Sequence, residues 1–276
     1  MNVDIISDIH IDFYINPSKG TRPKHIDKFI AEVLVPKGSE TLIIAGDIGH
    51  KNFQMRRLLE SLSCIYKDII VVLGNHDLYI ESNNTKNIRK NSLDRLIEII
   101  EICDGIDGVH LLNGKKVTIN GKVFAGTIGW YNFSEFEKSG VSEIDIQKSY
   151  LSRSSDPHYI RGITSGGMYG DTRLNGRQMF KQEYDKLLEW SDDKIDVMIT
   201  HVPPWISDEN KKLAEFPDDL NYEYFDKPEL LKGRKVWVHG HTHYVEDTVV
   251  DGCHVVSQPL GYKSEDLKTQ IKQITI

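Results

Sequence analysis

Cysteine is scarce in this chain and scattered. Cys64, Cys103 and Cys253 are odd in number, lie far apart and form no C-x-x-C pair, which argues against a disulfide framework and a thiolate metal site. Cys64 and Cys103 fall within helical patterns, so buried free thiols in a reducing compartment are expected. No apolar run approaches the length of a membrane-spanning helix. Positive charge is not in excess either: 34 Lys and Arg stand against 41 Asp and Glu, a net charge of −7. With no strip of interleaved basic and aromatic residues, nucleic acid is not the favoured partner. Internal repeats, low-complexity tracts and linkers are also missing, so residues 1–276 read as one domain. Val3 to Ile6 already reads as a strand and polar functional residues begin at Asp8, leaving no room for a targeting peptide. The expectation is a cytoplasmic globular protein whose 39% hydrophobic and 27% charged residues suffice for a core.

What the chain does have is one pattern used repeatedly. The β-branched run Ile69-Ile70-Val71-Val72-Leu73 ends in Gly74-Asn75-His76-Asp77. This reads as a buried strand closed by a tight turn, the place where open α/β sheets carry their chemistry. Asn75 offers a neutral oxygen ligand, His76 a proton donor or acceptor, and Asp77 a carboxylate able to orient the imidazole. Four more apolar runs end the same way. Val3 to Ser7 leads to Asp8-Ile9-His10, Leu42 to Ala45 to Gly46-Asp47, Ile195 to Ile199 to Thr200-His201, and Lys235 to Val238 to His239-Gly240-His241-Thr242-His243. If the chain stays extended, period-2 alternation points Asp8 and His10 the same way, as two ligands of one ion require. Glycines before Asp47, Asn75 and His241 are expected to let the backbone turn sharply.

Between these runs, Met55, Leu58, Leu59, Leu62 and Ile65 keep helical spacing, and Leu93, Leu96, Ile97, Ile100 and Cys103 mark a second helix face. Alternating strands and helices imply parallel strands with helical crossovers. Asn120-Gly121 and Asp251-Gly252, each flanked by apolar runs, predict two tight hairpins and hence antiparallel edges. From Tyr131 to Asn175 the periodicity fades. This stretch reads as an insertion or lid-like segment that carries Arg153, His158, Arg161 and Arg173.

In order, Asp8-x-His10, Gly46-Asp47, Gly74-Asn75-His76-Asp77, His201 and Gly240-His241-x-His243 resemble the five signature blocks of the calcineurin-like metallophosphoesterase family. Gln258-Pro259-Leu260-Gly261-Tyr262 is similar to the Pro-x-Gly-Tyr ending of many small bacterial and phage members. The resemblance implies an α/β fold, a two-sheet αββα sandwich with mixed parallel and antiparallel strands. It also implies two divalent or mixed-valence metal ions. One would take Asp8, His10, Asp47 and His243, the other Asp47, Asn75, His201 and His241, with Asp47 bridging. Such carboxylate, amide and imidazole donors suit Mn²⁺, Fe or Zn²⁺. The implied activity is metal-dependent phosphoester hydrolysis, as phosphatase or phosphodiesterase, by a metal-bridging hydroxide. His76 would be the general acid, and Asp77 would fix its tautomer.

The implied partner is a phosphorylated small molecule or protein. Its alcohol side would be read by the loops Tyr131 to Asn175 and Trp205 to Phe225, with Arg153, Arg161 and Arg173 as candidate substrate contacts. A non-catalytic scaffold for protein binding and a nuclease of the same family are the competing readings. The filled set of ligand and proton-donor positions argues against the first, and the acidic balance against the second. His25, His50, His110, His158, His239 and His254 read as surface or core histidines rather than ligands.

Overall fold

The computed structural model describes residues 1–17, 22–80, 91–164, 173–191, 193–214 and 217–276. Strands β1 (Asn2–Ile6), β2 (Thr41–Ala45), β3 (Asp68–Val72) and β4 (Val109–Leu111) lie parallel in one sheet. Strand β11 (Lys272–Thr275) adds an antiparallel edge to β1. The second sheet orders β5 (Lys115–Ile119), β6 (Lys122–Thr127), β7 (Val197–Thr200), β8 (Val236–His239), β10 (Cys253–Ser257) and β9 (Glu246–Val250). Its centre is parallel and its two edges are the hairpins β5–β6 and β9–β10. Both hairpins turn on the expected pairs, with Asn120, Gly121, Asp251 and Gly252 all at positive φ, as a type I′ turn requires.

Strand alternation sorts the apolar residues into two layers. Ile43, Ala45, Ile70 and Val72 of the first sheet meet Phe124, Val197, Ile199 and Val238 of the second in a core between the sheets. Their neighbours Leu42, Ile44, Ile69 and Val71 face the other way, into a cluster with Met55, Leu58, Leu59 and Leu62 of the helix Asn52–Leu62. Met179 and Leu187 of the helix Gly176–Leu188 belong to the same outer cluster as Ala125 and Met198. Central strands buried on both faces explain why they read as unbroken apolar runs. The fold is the expected two-sheet α/β sandwich with helices outside.

Three local expectations need correction. The helix Asn52–Leu62 ends before Tyr66, so Cys64 and Ile65 lie in the turn that feeds β3; both are exposed, while Cys103 and Cys253 are buried. In the helix Ser92–Asp104 the buried stripe is Arg95, Ile99, Ile102 and Cys103, and Leu93 and Ile97 face outward. That rotation follows from Arg95, whose guanidinium reaches inward to the carbonyls of Gly49, His50 and Tyr79. The described part of 131–175 is helical, with helices Ser134–Lys138, Glu143–Arg153 and Asp156–Tyr159 anchored by buried Tyr131, Phe133, Phe136 and Tyr150. Residues 165–172 of that segment fall outside the described residues. Among the described residues, no helix is long and apolar enough to cross a membrane.

Candidate metal centre

The strand ends break abruptly. Asp8 (φ 50°), His10 (φ 42°), Asp47 (φ 54°), His241 (φ 73°) and His243 (φ 55°) all occupy left-handed backbone space, which is uncommon for residues with a Cβ. Asp8 and His10 are therefore not brought together by extended alternation. Their loop is laced to the next strand end instead, Asp8 N donating to the Gly46 carbonyl and His10 N to that of Asp47, both at 3.0 Å. The glycines also act differently from expectation. Gly46 has φ 88°, but Gly74 and Gly240 need no positive φ and serve to leave room. A Cβ on Gly74 would lie 2.0 Å from Asp47 Oδ1, and one on Gly240 2.6 Å from Asp8 Oδ2.

The side chains converge in three overlapping groups. Asp8, His10 and His243 place one donor atom each within 4.8 Å of one another, and so do Asp8, Asp47 and His201, and His10, Asp47 and His76. His10 Nε2 lies 3.1 Å from His243 Nε2 and 3.7 Å from Asp47 Oδ2. His201 Nε2 lies 3.3 Å from Asp47 Oδ2 and 3.1 Å from Asn75 Oδ1. Asp8, His10, Asp47 and His201 are buried, and His10 Nδ1 has no hydrogen-bond partner among the described residues. Imidazole nitrogens facing each other beside two buried carboxylates satisfy a cation far better than they satisfy one another.

Outer partners set the tautomers. His201 Nδ1–H donates to the Ala45 carbonyl at 2.9 Å and His241 Nε2–H to the Tyr222 carbonyl at 2.7 Å. His243 Nδ1–H donates to Glu265 at 2.8 Å. Each acceptor pins a proton on the outer nitrogen and leaves the inner lone pair for a ligand, Nε2 in His201 and His243, Nδ1 in His241. His241 is absent from the tight donor groups among the described residues, but its ring lies 5.0 Å from that of His201, centroid to centroid. Asn75 is oriented in the same way. Its Nδ2 donates to Asp156 at 2.9 Å, and Asp156 also accepts from Tyr79 at 2.6 Å and Tyr131 at 2.5 Å.

Charges follow this arrangement. Burial opposes ionisation of Asp47, yet His201, His76 and His10 outweigh it and hold the carboxyl well below its usual range. Burial likewise opposes the charged form of His201, but Asp47 outweighs it and raises the ring to about 9.

The family model for calcineurin-like phosphoesterases matches residues 1–245, a span that contains every one of these strand ends. The chain belongs to the calcineurin-like phosphoesterase family. An uncharacterized protein of Acanthamoeba polyphaga mimivirus is 25% identical over 236 residues, covering 81% of this chain and 79% of its own. Phosphopantetheinyl hydrolase from Mycobacterium tuberculosis shares the fold at a TM-score of 0.71 and 18% identity, over 99% of this chain and 95% of that one. A dimetal phosphatase from Danio rerio aligns at a TM-score of 0.46 and 13% identity, over 95% and 88% of the two chains. Metal-dependent phosphoester hydrolysis is the activity that this family and this donor set have in common.

In this phosphoesterase Asp77 does not hold His76, contrary to the expectation. His76–Leu78 form a 3₁₀ turn, in which successive side chains point about 120° apart. Asp77 is thus sent inward, where it accepts from Gly49 N at 3.1 Å and Gly74 N at 2.9 Å and ties two strand-end loops together. Burial and the charge of Asp47 push its pKa up to about 6. His76 Nδ1 instead meets His50 Nε2 at 2.6 Å, and His50 Nδ1 meets Asp12 at 3.0 Å. Tyr262, the last residue of the Pro-x-Gly-Tyr motif, places its hydroxyl 3.3 Å from His76 Nε2.

Among the described residues, His76 lines two cavities. One of about 490 Å³ exposes Asp47, Asn75, His241, His243 and Tyr262, and one of about 380 Å³ is lined by His50, Lys51, Tyr79, Ser155 and Tyr159. Arg153, Arg161 and Arg173 line neither. Arg153 pairs with Asp218 at 3.3 Å and Asp219 at 2.7 Å, joining the 131–175 segment to the Trp205 to Phe225 loop. Arg161 and Arg173 pair through their backbones in an isolated bridge.

Asp156 carried no sequence signal beyond an Asp-Pro pair that reads as a helix start. Asp156→Ala is expected to weaken metal binding by about 10-fold to 100-fold, because Asn75 loses the acceptor that orients its amide. Titration with Mn²⁺ by calorimetry checks this; wild-type affinity in the folded variant would leave Asp156 only a packing role for two tyrosines.

Proposed function

We propose that this phosphoesterase hydrolyses its substrate with two cations, one held by Asp8, His10, Asp47 and His243, the other by Asp47, Asn75, His201 and His241. When bound, such a pair supplies Lewis-acid polarisation of the phosphoryl group and activation of water. The rest of the chemistry belongs to the chain. Asp47 links the two halves of the site, and its Oδ1 accepts from His76 N at 2.9 Å, fixing the proton donor relative to the metal ligands. His76 Nε2 gives its proton to the ester oxygen as the P–O bond breaks. The observation that carries this reading is the set of outer hydrogen bonds that turns the lone pairs of His201, His241 and His243 inward beside two buried carboxylates.

The substrate is read as a phosphorylated small molecule or protein, its phosphoryl group meeting the strand ends. Its alcohol portion lies in one of the two cavities that meet at His76. A panel of phosphomonoesters and phosphodiesters, a phosphopantetheinyl ester among them, assayed with Mn²⁺ tests the activity. Turnover that disappears with EDTA supports the reading. Full metal loading without turnover of any ester would favour the protein-binding scaffold.

A further inference from the structure

The geometry points to Asp12 and His50 as positioning residues that set the tautomer and ring orientation of His76, an inference that rests on His76 acting as proton donor. The rings of His50 and His76 are nearly coplanar, 8° apart, with the 2.6 Å contact joining Nε2 of one to Nδ1 of the other. His50 has little freedom to leave this arrangement. Its backbone N donates to Asp12 Oδ1 at 3.0 Å, Arg95 holds its carbonyl, and its ring packs on Tyr79 and the edge of Phe13.

The proton positions follow from one end. A carboxylate can only accept, so the Asp12 contact puts a proton on His50 Nδ1. Neutral His50 is then an acceptor at Nε2, which puts a proton on Nδ1 of His76. That leaves Nε2 of His76 as the atom that gains and loses a proton toward the cavity, where the Tyr262 hydroxyl stands at 3.3 Å. As the P–O bond breaks, its electrons stay on the departing oxygen, which takes the Nε2 proton. His76 is left neutral, with its Nδ1–H still on His50.

The test compares His50→Phe, which keeps a ring but removes the acceptor, with His50→Gln, which restores one. His50→Phe should lower kcat for an alkyl phosphate about 10-fold to 100-fold, part of what a general acid contributes. It should leave a p-nitrophenyl ester much less affected, and His50→Gln should regain most of the loss. In a His76→Ala background His50→Phe should cost nothing further, and metal content should stay at the wild-type level. In ¹⁵N NMR, His76 should carry its neutral-state proton on Nδ1 in the wild type and lose that preference in His50→Phe. An unchanged tautomer, or the same loss in the His76→Ala background, would overturn the inference while leaving His76 as proton donor. A His76→Ala loss that ignores leaving-group acidity would instead remove the proton-donor reading itself, and this inference with it.

Discussion

Asp47→Ala is expected to abolish turnover and to leave far fewer than two metal ions per chain. Asp47 belongs to both halves of the site, its Oδ2 lying 3.3 Å from His201 Nε2 and 3.7 Å from His10 Nε2. It is buried, and the surrounding histidines hold it ionised. Removing it deprives each half of a charged donor and leaves buried imidazoles without their carboxylate. Asp47→Asn is the companion variant: asparagine tolerates the left-handed backbone of this position and keeps one neutral oxygen. It should hold metal better than the alanine variant and worse than wild type. Elemental analysis of purified protein, with a thermal melt as control for folding, gives the answer. Two metals per chain in Asp47→Ala would defeat the bridging assignment.

His76→Ala is expected to keep its metals and lose activity selectively. A general acid contributes typically ~10²–10⁴-fold, and an alkyl ester, whose departing oxygen needs a proton, should lose roughly that factor. A p-nitrophenyl ester leaves as a stable anion and should lose much less. The ring sits between His10 and Tyr79, at centroid separations of 4.8 and 4.4 Å. A donor atom of His76 also groups with those of His10 and Asp47 within 4.8 Å, so metal content must be measured beside rate. Rates across esters of graded leaving-group acidity decide the role. Equal losses for every ester would assign His76 to phosphate binding or transition-state charge, and metal lost together with activity would make it a ligand.

The five strand ends were legible because a buried parallel strand and a candidate metal ligand leave different marks that here stand side by side: an apolar run, then Asp, Asn or His. The hairpins were legible because only certain residue pairs tolerate two successive positive φ values. Asp77 was misread because neighbours in sequence need not be neighbours in a tight turn. Asp12, His50, Asp156 and Glu265 act through contacts between segments distant in the chain, and a single carboxylate or imidazole has no periodicity to betray it. The 131–175 segment, read as an insertion or lid-like stretch, shows little periodicity because its core is made by aromatic residues from several short helices, at spacings no one helix would repeat. Arg95 stands outside the apolar stripe read from the sequence, yet it binds three carbonyls from two loops and turns its whole helix.

The left-handed residues at the strand ends have a consequence for anyone who would engineer this enzyme. A non-glycine residue in that region costs on the order of 1 kcal/mol or more, so Asp8, His10, Asp47, His241 and His243 together oppose folding by roughly 5 kcal/mol, a large share of a typical domain's net stability. Glycine at any of them would relax the backbone and delete a donor in the same step. A directed-evolution campaign scored only on heat resistance would therefore drift toward dismantling the centre while its scores improved. Variants challenged with metal present would be judged on the ligands and the scaffold at once, since a bound ion stabilises the folded state that holds it.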